Sequence, residues 1–244
     1  MANWSDPRVV GAPLGTAAGS QSAAYDAGLR SYMLSVYNYM ASGVLLTGIV
    51  ALLFAKSGFA QSVMFGPGIL KYLIIFSPLA FVFGMSFGVN RMSTATLQMM
   101  FWGFATVMGL SMSTIFLVYT GTSIAQTFFA TAAAFMGLSL WGYSTKKDLS
   151  GMGTFLIMGL VGLLVASVIN IFLKSGTMSL VISFVGVLIF AGLTAYDTQK
   201  IKSMYQYVAG TDMMGKTVIM GALSLYLDFI NMFQFLLSFM GSRD

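Results

Sequence analysis

The stretch "VIMGALSLYLDFINMFQFLLSFM" runs from Val218 to Met240. At 1.5 Å per helical residue it is long enough to cross a hydrocarbon core of roughly 30 Å. Yet it carries an acid, Asp228, roughly 15 Å from its start. Steps of three and four along the segment join Thr217, Gly221, Ser224, Asp228, Asn231, Phe235 and Ser238. That is a stripe of mostly polar and small residues on one helical face, with Leu, Ile, Met and Phe elsewhere. An Asp at this depth costs a few kcal/mol on insertion scales, so it faces a bundle interior and marks a proton or ion pathway. The segment therefore reads as a membrane helix with one polar face turned inward and the rest turned toward lipid or other helices.

The composition agrees. Of 244 residues, 57% are hydrophobic and 8% charged, whereas a soluble domain carries roughly a quarter charged residues. Six more apolar stretches precede the last: Tyr37–Ala55, Tyr72–Val89, Met99–Tyr119, Thr127–Tyr143, Phe155–Leu173 and Ser179–Ala195. The second contains Pro78 and the fourth is short and rich in Gly and Ala, so these two carry the weakest signal. The expected fold is all-α, a seven-transmembrane helix bundle forming one domain over residues 30–244. Residues 1–29, rich in Gly, Ala, Ser and Pro, read as a flexible tail. They lack the charged start and unbroken apolar core of a cleaved signal peptide, so the tail is expected to be retained.

The chain has no Cys and no His, and its seven acids are all Asp. Disulfides, thiolate chemistry, His-ligated metals and Ser-His-Asp hydrolysis are excluded. The net charge of +5 comes from scattered basic residues, which gives nucleic acid no continuous patch to bind. Their placement instead follows the positive-inside pattern. Arg8, Arg30, Arg91, Lys146, Lys147, Lys200, Lys202 and Lys216 fall on the side of the N-terminus, against Lys56, Lys71, Lys174 and Arg243 on the other. A cytoplasmic N-terminus is expected.

A second acid, Asp197, closes the sixth stretch in "GLTAYDTQKIK", with Thr194 about one turn earlier. On spacing alone it is either an interfacial Asp solvated at the boundary or a partner for Asp228. Asn170 with Ser167, and Ser111 with Thr114, read as helix–helix glue. The twenty Met residues show no ligand spacing and read as packing. Two Asp on consecutive helices allow two functions. One is an aspartyl dyad that activates water to cut peptides inside the membrane. The other is a proton- or cation-responsive gate.

The motifs "AYDTQKIK" and "LSLYLDFINMF", with "GYSTKKDLSGMG" before the fifth stretch, resemble those of the Bax inhibitor-1 family, the transmembrane Bax inhibitor motif proteins. "LRSYMLSVYNYMASG" and the ending "GSRD" are similar to bacterial members. The resemblance spans roughly residues 29–244. It implies seven helices with the last one central, in a bacterial inner membrane, and no enzymatic activity. It also implies a pH-sensitive calcium leak governed by Asp197 and Asp228, with Ca²⁺ as the transported ion, no cofactor and no tightly held metal. Arg91 is the nearest match to the family's latch arginine. Ser224, Asn231 and Thr194 are the candidates to line the pathway. The partners expected are lipid, Ca²⁺ and protons. Bacterial relatives are also linked to restraining a membrane AAA protease, so regulation of a protease or cell-death partner through protein contacts is the alternative. Intramembrane aspartyl proteases resembling presenilin need Gly-x-Gly before the second Asp and a later Pro-Ala-Leu. Here Leu225, Tyr226 and Leu227 precede Asp228, and no Pro-Ala-Leu follows.

Periodicity and resemblance conflict at one point. Counted from Ser179, Asp197 lies roughly 27 Å along its helix, too far from the depth of Asp228 for the two to pair. Pairing requires the sixth helix to continue through "TQKIKSMYQYV" to about Tyr205, with Lys200 and Lys202 snorkelling to the interface. Two facing carboxylates cannot easily both ionise, so such a pair would share a proton at lower pH and repel once it is lost.

Overall fold

In a hydrocarbon core each backbone N–H and C=O must be paired within its own segment, and each apolar stretch accordingly folds as a helix. A computed structural model describes residues 14–243, with side chains from residue 23 onward. Its helices are α1 (Leu14–Lys56), α2 (Phe59–Phe65), α3 (Leu70–Gly88), α4 (Thr94–Met112), α5 (Ile115–Val118), α6 (Gly121–Ser144), α7 (Ser150–Leu173), α8 (Gly176–Val208) and α9 (Met213–Met240). Seven spans are long and apolar enough to cross a membrane, with α4 and α5 together forming the third. They match the seven expected stretches in order. Extended pairing among the described residues is an isolated bridge between Tyr119 and Arg243.

Residues 1–13 of the expected tail lie outside the described residues. The boundary set between residues 29 and 30 falls within α1, and side-chain burial begins at Leu29. Pro78 does not end α3. Its ring leaves the Ile74 carbonyl without the usual helical N–H, and the Ser77 hydroxyl donates to that carbonyl at 3.0 Å. The α1–α3 connection contains the short helix α2, which periodicity did not reveal. It opens after Gly58 in the left-handed region (φ 77°) and exposes Phe59 and Phe65.

With seven spans, the membrane face where α1 begins (the N-side) also receives the ends of α3, α6 and α8 and the starts of α4, α7 and α9. The last helix is the most enclosed: 67% of its membrane-length window is buried, against 11–44% in the other spans. It packs against α1, α4, α6 and α8, while α3 lies against α4 and α7 against α8. Thus Leu225, Tyr226, Phe229, Ile230, Met232 and Phe233 are buried against neighbouring helices and do not face lipid.

Small residues allow this packing, because helices in lipid gain little from apolar burial and depend on close contact. A Cβ on Gly142 of α6 would lie 2.3 Å from the Ala195 carbonyl oxygen of α8. Gln199 of α8 clamps the α6–α7 connection: its Nε2 donates to Lys147 O at 2.8 Å, and its Oε1 accepts from Leu149 N–H at 2.9 Å. In the same connection the Ser150 side chain and, at 2.9 Å, the Ser150 N–H both favour the ionised Asp148 and hold its carboxyl below the usual range. At the far end, Ser242 N–H donates to Ser123 Oγ and Thr120 N–H to Ser242 O, so the segment after α9 is tied to the α5–α6 turn.

Two stability predictions follow from these contacts. Gly142→Ala is expected to cost about 1–3 kcal/mol through forced backbone separation. Gly137→Ala on the same helix, where a Cβ meets nothing within 4 Å, is expected to be neutral or stabilising. Gln199→Ala is expected to cost about 1–2 kcal/mol through two lost hydrogen bonds. Thermal midpoints of the purified protein in detergent check all three variants.

Candidate functional site

The antiparallel pair α8–α9 is fixed by contacts on both sides of its two acids. Toward the far end, Ser183 Oγ donates to Ser238 Oγ at 3.0 Å, and the Phe235 ring sits where a Cβ on Gly186 would be. The Phe190 and Phe235 rings stack with centroids 5.8 Å apart. Toward the N-side, Ile201 packs on Gly221. On α8 the row through Ser183, Gly186, Phe190, Asp197 and Ile201 advances by threes, fours and a seven, so all five share one face. On α9 the corresponding row is Gly221, Asp228, Phe235 and Ser238. Asp197 and Asp228 therefore both fall between the Ile201–Gly221 contact and the Ser183–Ser238 bond, within about one helical turn of the same level. They are close enough for the charge of one to act on the other.

That level is deep. Asp228 lies about 22 Å from the first residue of α9 and about 18 Å from its last. It is 4% exposed, and its Oδ2 has no hydrogen-bond partner among the described residues. Asp197 is half-buried, about 16 Å before the end of α8 at Val208. The helix thus extends past Tyr205, as pairing requires, and Asp197 is not an interfacial residue at a helix end. Lys200, the cation that acts on Asp197 along α8, holds its ammonium 5.9 Å from the Tyr196 ring centroid.

The other expected residues divide. Thr194 is fully buried and its hydroxyl donates to Phe190 O at 2.8 Å within its own helix. Asn231 Nδ2 donates to Leu227 O at 2.8 Å. Ser224 and Asn231 lie on the half-buried side of α9, on the same helix as Asp228. Arg91 is exposed in the α3–α4 turn, which meets the start of α9 where Lys216 Nζ donates to Val89 O and Thr94 packs on Gly215. From Gly215 to Asp228 the helix rises about 20 Å. The structure does not bring Arg91 to the acids.

Two features were missed from the sequence. One is a polar cavity of about 350 Å³ at the far end, lined by Ser167 and Asn170 of α7, Ser179 and Ser183 of α8, and Gln234 and Ser238 of α9. It lies beyond Asn231, about 9 Å along α9 from Asp228 at Gln234. Polar residues spaced three or four apart near the same end of three successive helices were the available signal. The second is a hydroxyl chain beside the acids. Tyr37 Oη meets Ser139 Oγ at 2.5 Å, Ser139 Oγ meets Thr198 Oγ1 at 2.9 Å, and Thr198 donates to Thr194 O at 2.7 Å. Because the single Thr198 proton is committed to a carbonyl, Ser139 donates to Thr198 and Tyr37 to Ser139. The chain ties α1, α6 and α8 together in one direction.

Among the described residues no group of three or more His, Cys, Asp or Glu side chains comes together to hold a metal. The chemistry of the site is that of two carboxylates on neighbouring helices of an apolar bundle, with amides and hydroxyls toward the far side.

A family model described as inhibitor of apoptosis-promoting Bax1 matches residues 29–244. An uncharacterised protein of Rickettsia prowazekii is 48% identical over 92% of this chain and 94% of its own. An uncharacterised protein of Caulobacter vibrioides is 45% identical over 89% and 91%. The inner membrane protein YbhL of Escherichia coli is 43% identical over 89% and 94%. With seven spans in one bundle and this match along nearly the whole of it, the chain is a multi-pass membrane protein that belongs to the Bax inhibitor-1 family.

Proposed function

We propose that the protein is a non-enzymatic, pH-sensitive cation leak, with Ca²⁺ as the ion carried and Asp197 with Asp228 as the switch. By likeness to the inner membrane protein YbhL, its place is a bacterial inner membrane with the N-side in the cytoplasm. The observation that supports this reading best is that α8 and α9 carry one acid each on the faces they turn to each other, with Asp228 Oδ2 buried without a partner among the described residues. Two carboxylates at close range cannot easily both ionise. At lower pH they share a proton and α8 stays against α9. When that proton is lost, repulsion parts them unless a cation intervenes. Hard oxygen ligands suit Ca²⁺, which takes six to eight of them. Two Asp with Asn231 and nearby hydroxyls fall short of that, so the ion passes and is not stored.

Purified protein in liposomes with a trapped Ca²⁺ dye tests the proposal. Flux is expected to rise with pH over roughly two units, the width of a single-proton transition. Asp228→Asn and Asp197→Asn are expected to remove that pH dependence. Flux absent at every pH would overturn the channel reading and leave regulation of a membrane protease through protein contacts. Wild-type pH profiles in both variants would overturn the switch alone.

A further inference from the structure

The helices α1 and α6 both pack on α9, yet between them runs an open seam. On its N-side half lies a groove of about 840 Å³, lined by α1 from Asp26 to Leu45, by α6 from Phe128 to Tyr143, and floored by Phe229 of α9. A second cavity of about 320 Å³ continues the seam toward the far side and shares Val44, Phe128 and Phe229 with the first. From Asp26 to Leu45 the N-side groove extends about 28 Å along α1. Its walls are apolar for most of that length, through Met33, Met40, Val44, Ala132, Phe135 and Met136. A groove of this kind facing a bilayer is filled by hydrocarbon, since water there would leave apolar walls wetted.

The charges are at one end only. Arg30 and Asp26, both exposed, line the N-side mouth of the groove. Tyr143 lines the same mouth from α6, and Lys202 of α8 reaches it: its Nζ donates to Tyr143 O at 2.7 Å and lies 4.6 Å from the Tyr143 ring centroid. Lys146 and Lys147 follow in the α6–α7 connection. Asp26 and Asp148 against Arg30, Lys146, Lys147 and Lys202 leave the mouth positive, at the level where headgroups lie. The far cavity is lined by apolar residues with Thr47 as its hydroxyl-bearing member.

We propose that the N-side α1–α6 groove is a binding site for an anionic phospholipid of the adjoining leaflet. Its acyl chain lies along Met33, Met40, Ala132 and Phe135, and its phosphate lies at Arg30 with Lys202 nearby. The lipid fills the seam where α1 and α6 are joined by little besides the Tyr37–Ser139 bond. It covers the Tyr37–Ser139 bond that crosses the floor of the seam. This site stands whether or not the carboxylate pair conducts an ion.

Native mass spectrometry of the full chain, equilibrated with phosphatidylglycerol and phosphatidylcholine of identical acyl chains, tests the site. The wild type is expected to retain a phosphatidylglycerol through delipidation, several-fold in preference to phosphatidylcholine. Arg30→Gln is expected to lower that preference several-fold. Ala132→Trp, which fills the groove, is expected to remove the retained lipid while Val161→Trp, on the exposed surface of α7, leaves it. Where Ala132→Trp does not fold, Ala41→Phe fills the same groove from α1. Equal retention of the two lipids, or retention unchanged in the groove-filling variant, would overturn the proposal. So would a dimer that the groove-filling variant dissolves, because the occupant is then a second copy of the chain.

Discussion

The register of α8 against α9 is the constraint on which the polar interior depends. A slip of one helical turn, 5.4 Å, would shift Asp228 relative to Asp197 and press the Phe235 ring into a position with a side chain. Gly186 prevents that by giving the Phe235 ring the place a Cβ would occupy, and Gly221 lets Ile201 pack to 3.2 Å from the position of one. The same device recurs where Gly142 admits the Ala195 backbone, and it ties α6 to α8 a few residues from Asp197. Gln199 then holds the α6–α7 connection on α8 from outside. The two acids therefore owe their relative placement to small residues and one amide spread over three helices, not to any attraction of their own.

Most polar groups inside the bundle are committed; the Tyr32 hydroxyl and Asp228 Oδ2 are the buried side-chain polar atoms without a partner among the described residues. Thr47 donates to Ala105 O at 2.8 Å, so the Tyr226 hydroxyl at 2.6 Å donates to Thr47 and pins α9 to α1 and α4. The chain from Tyr37 to Thr194 has the same logic and ends on a carbonyl. Each is a strut with a fixed direction. Neither passes a proton without breaking the bond that holds its helices, so the hydroxyl chains brace the acids and do not serve them as wires. Against this background, Asp228 Oδ2 and the Tyr32 hydroxyl are atoms whose requirement the bundle itself does not meet, and of the two Asp228 is the one on the α8–α9 face with a second acid.

Much of this was legible in the sequence, for physical reasons that can be stated. Span count and order follow from apolar length alone, which the bilayer thickness fixes. Asp228 was conspicuous because an acid in a long apolar run is costly. The end of α8 was not legible from hydropathy, since "TQKIKSMYQYV" is polar although helical; the requirement that Asp197 meet Asp228 extended it. Sequence also gave no means to see that Ser77 would repair the gap at Pro78, because that depends on a rotamer. The far cavity escaped for a similar reason. Ser167 with Asn170, Ser179 with Ser183, and Gln234 with Ser238 are each ordinary packing pairs, and only the arrangement of three helices joins them. Arg91 illustrates the reverse: a resemblance assigns it a role at the acids, while the α3–α4 turn holds it near the first turn of α9.

The two ends of the α8–α9 interface differ in a way that bears on how anything reaches the acids. Toward the N-side the space is filled by buried side chains: Leu29 and Tyr32 of α1, Ile201 and Tyr205 of α8, and Val218, Ile219 and Ala222 of α9. Toward the far side, Asn231, Gln234 and Ser238 climb one face of α9 to the polar cavity. These groups are neutral. An ion approaching along them exchanges water for amide and hydroxyl oxygens before it meets a charge, and meets only two carboxylates when it arrives. That order favours entry without deep capture: neutral dipoles lower the barrier, while too few acids are present to hold a divalent ion against release. A third acid at the level of Asp228 would turn the same geometry into a storage site. The bundle has none there among its described residues, and under the proposed leak that is what suits the arrangement to passage.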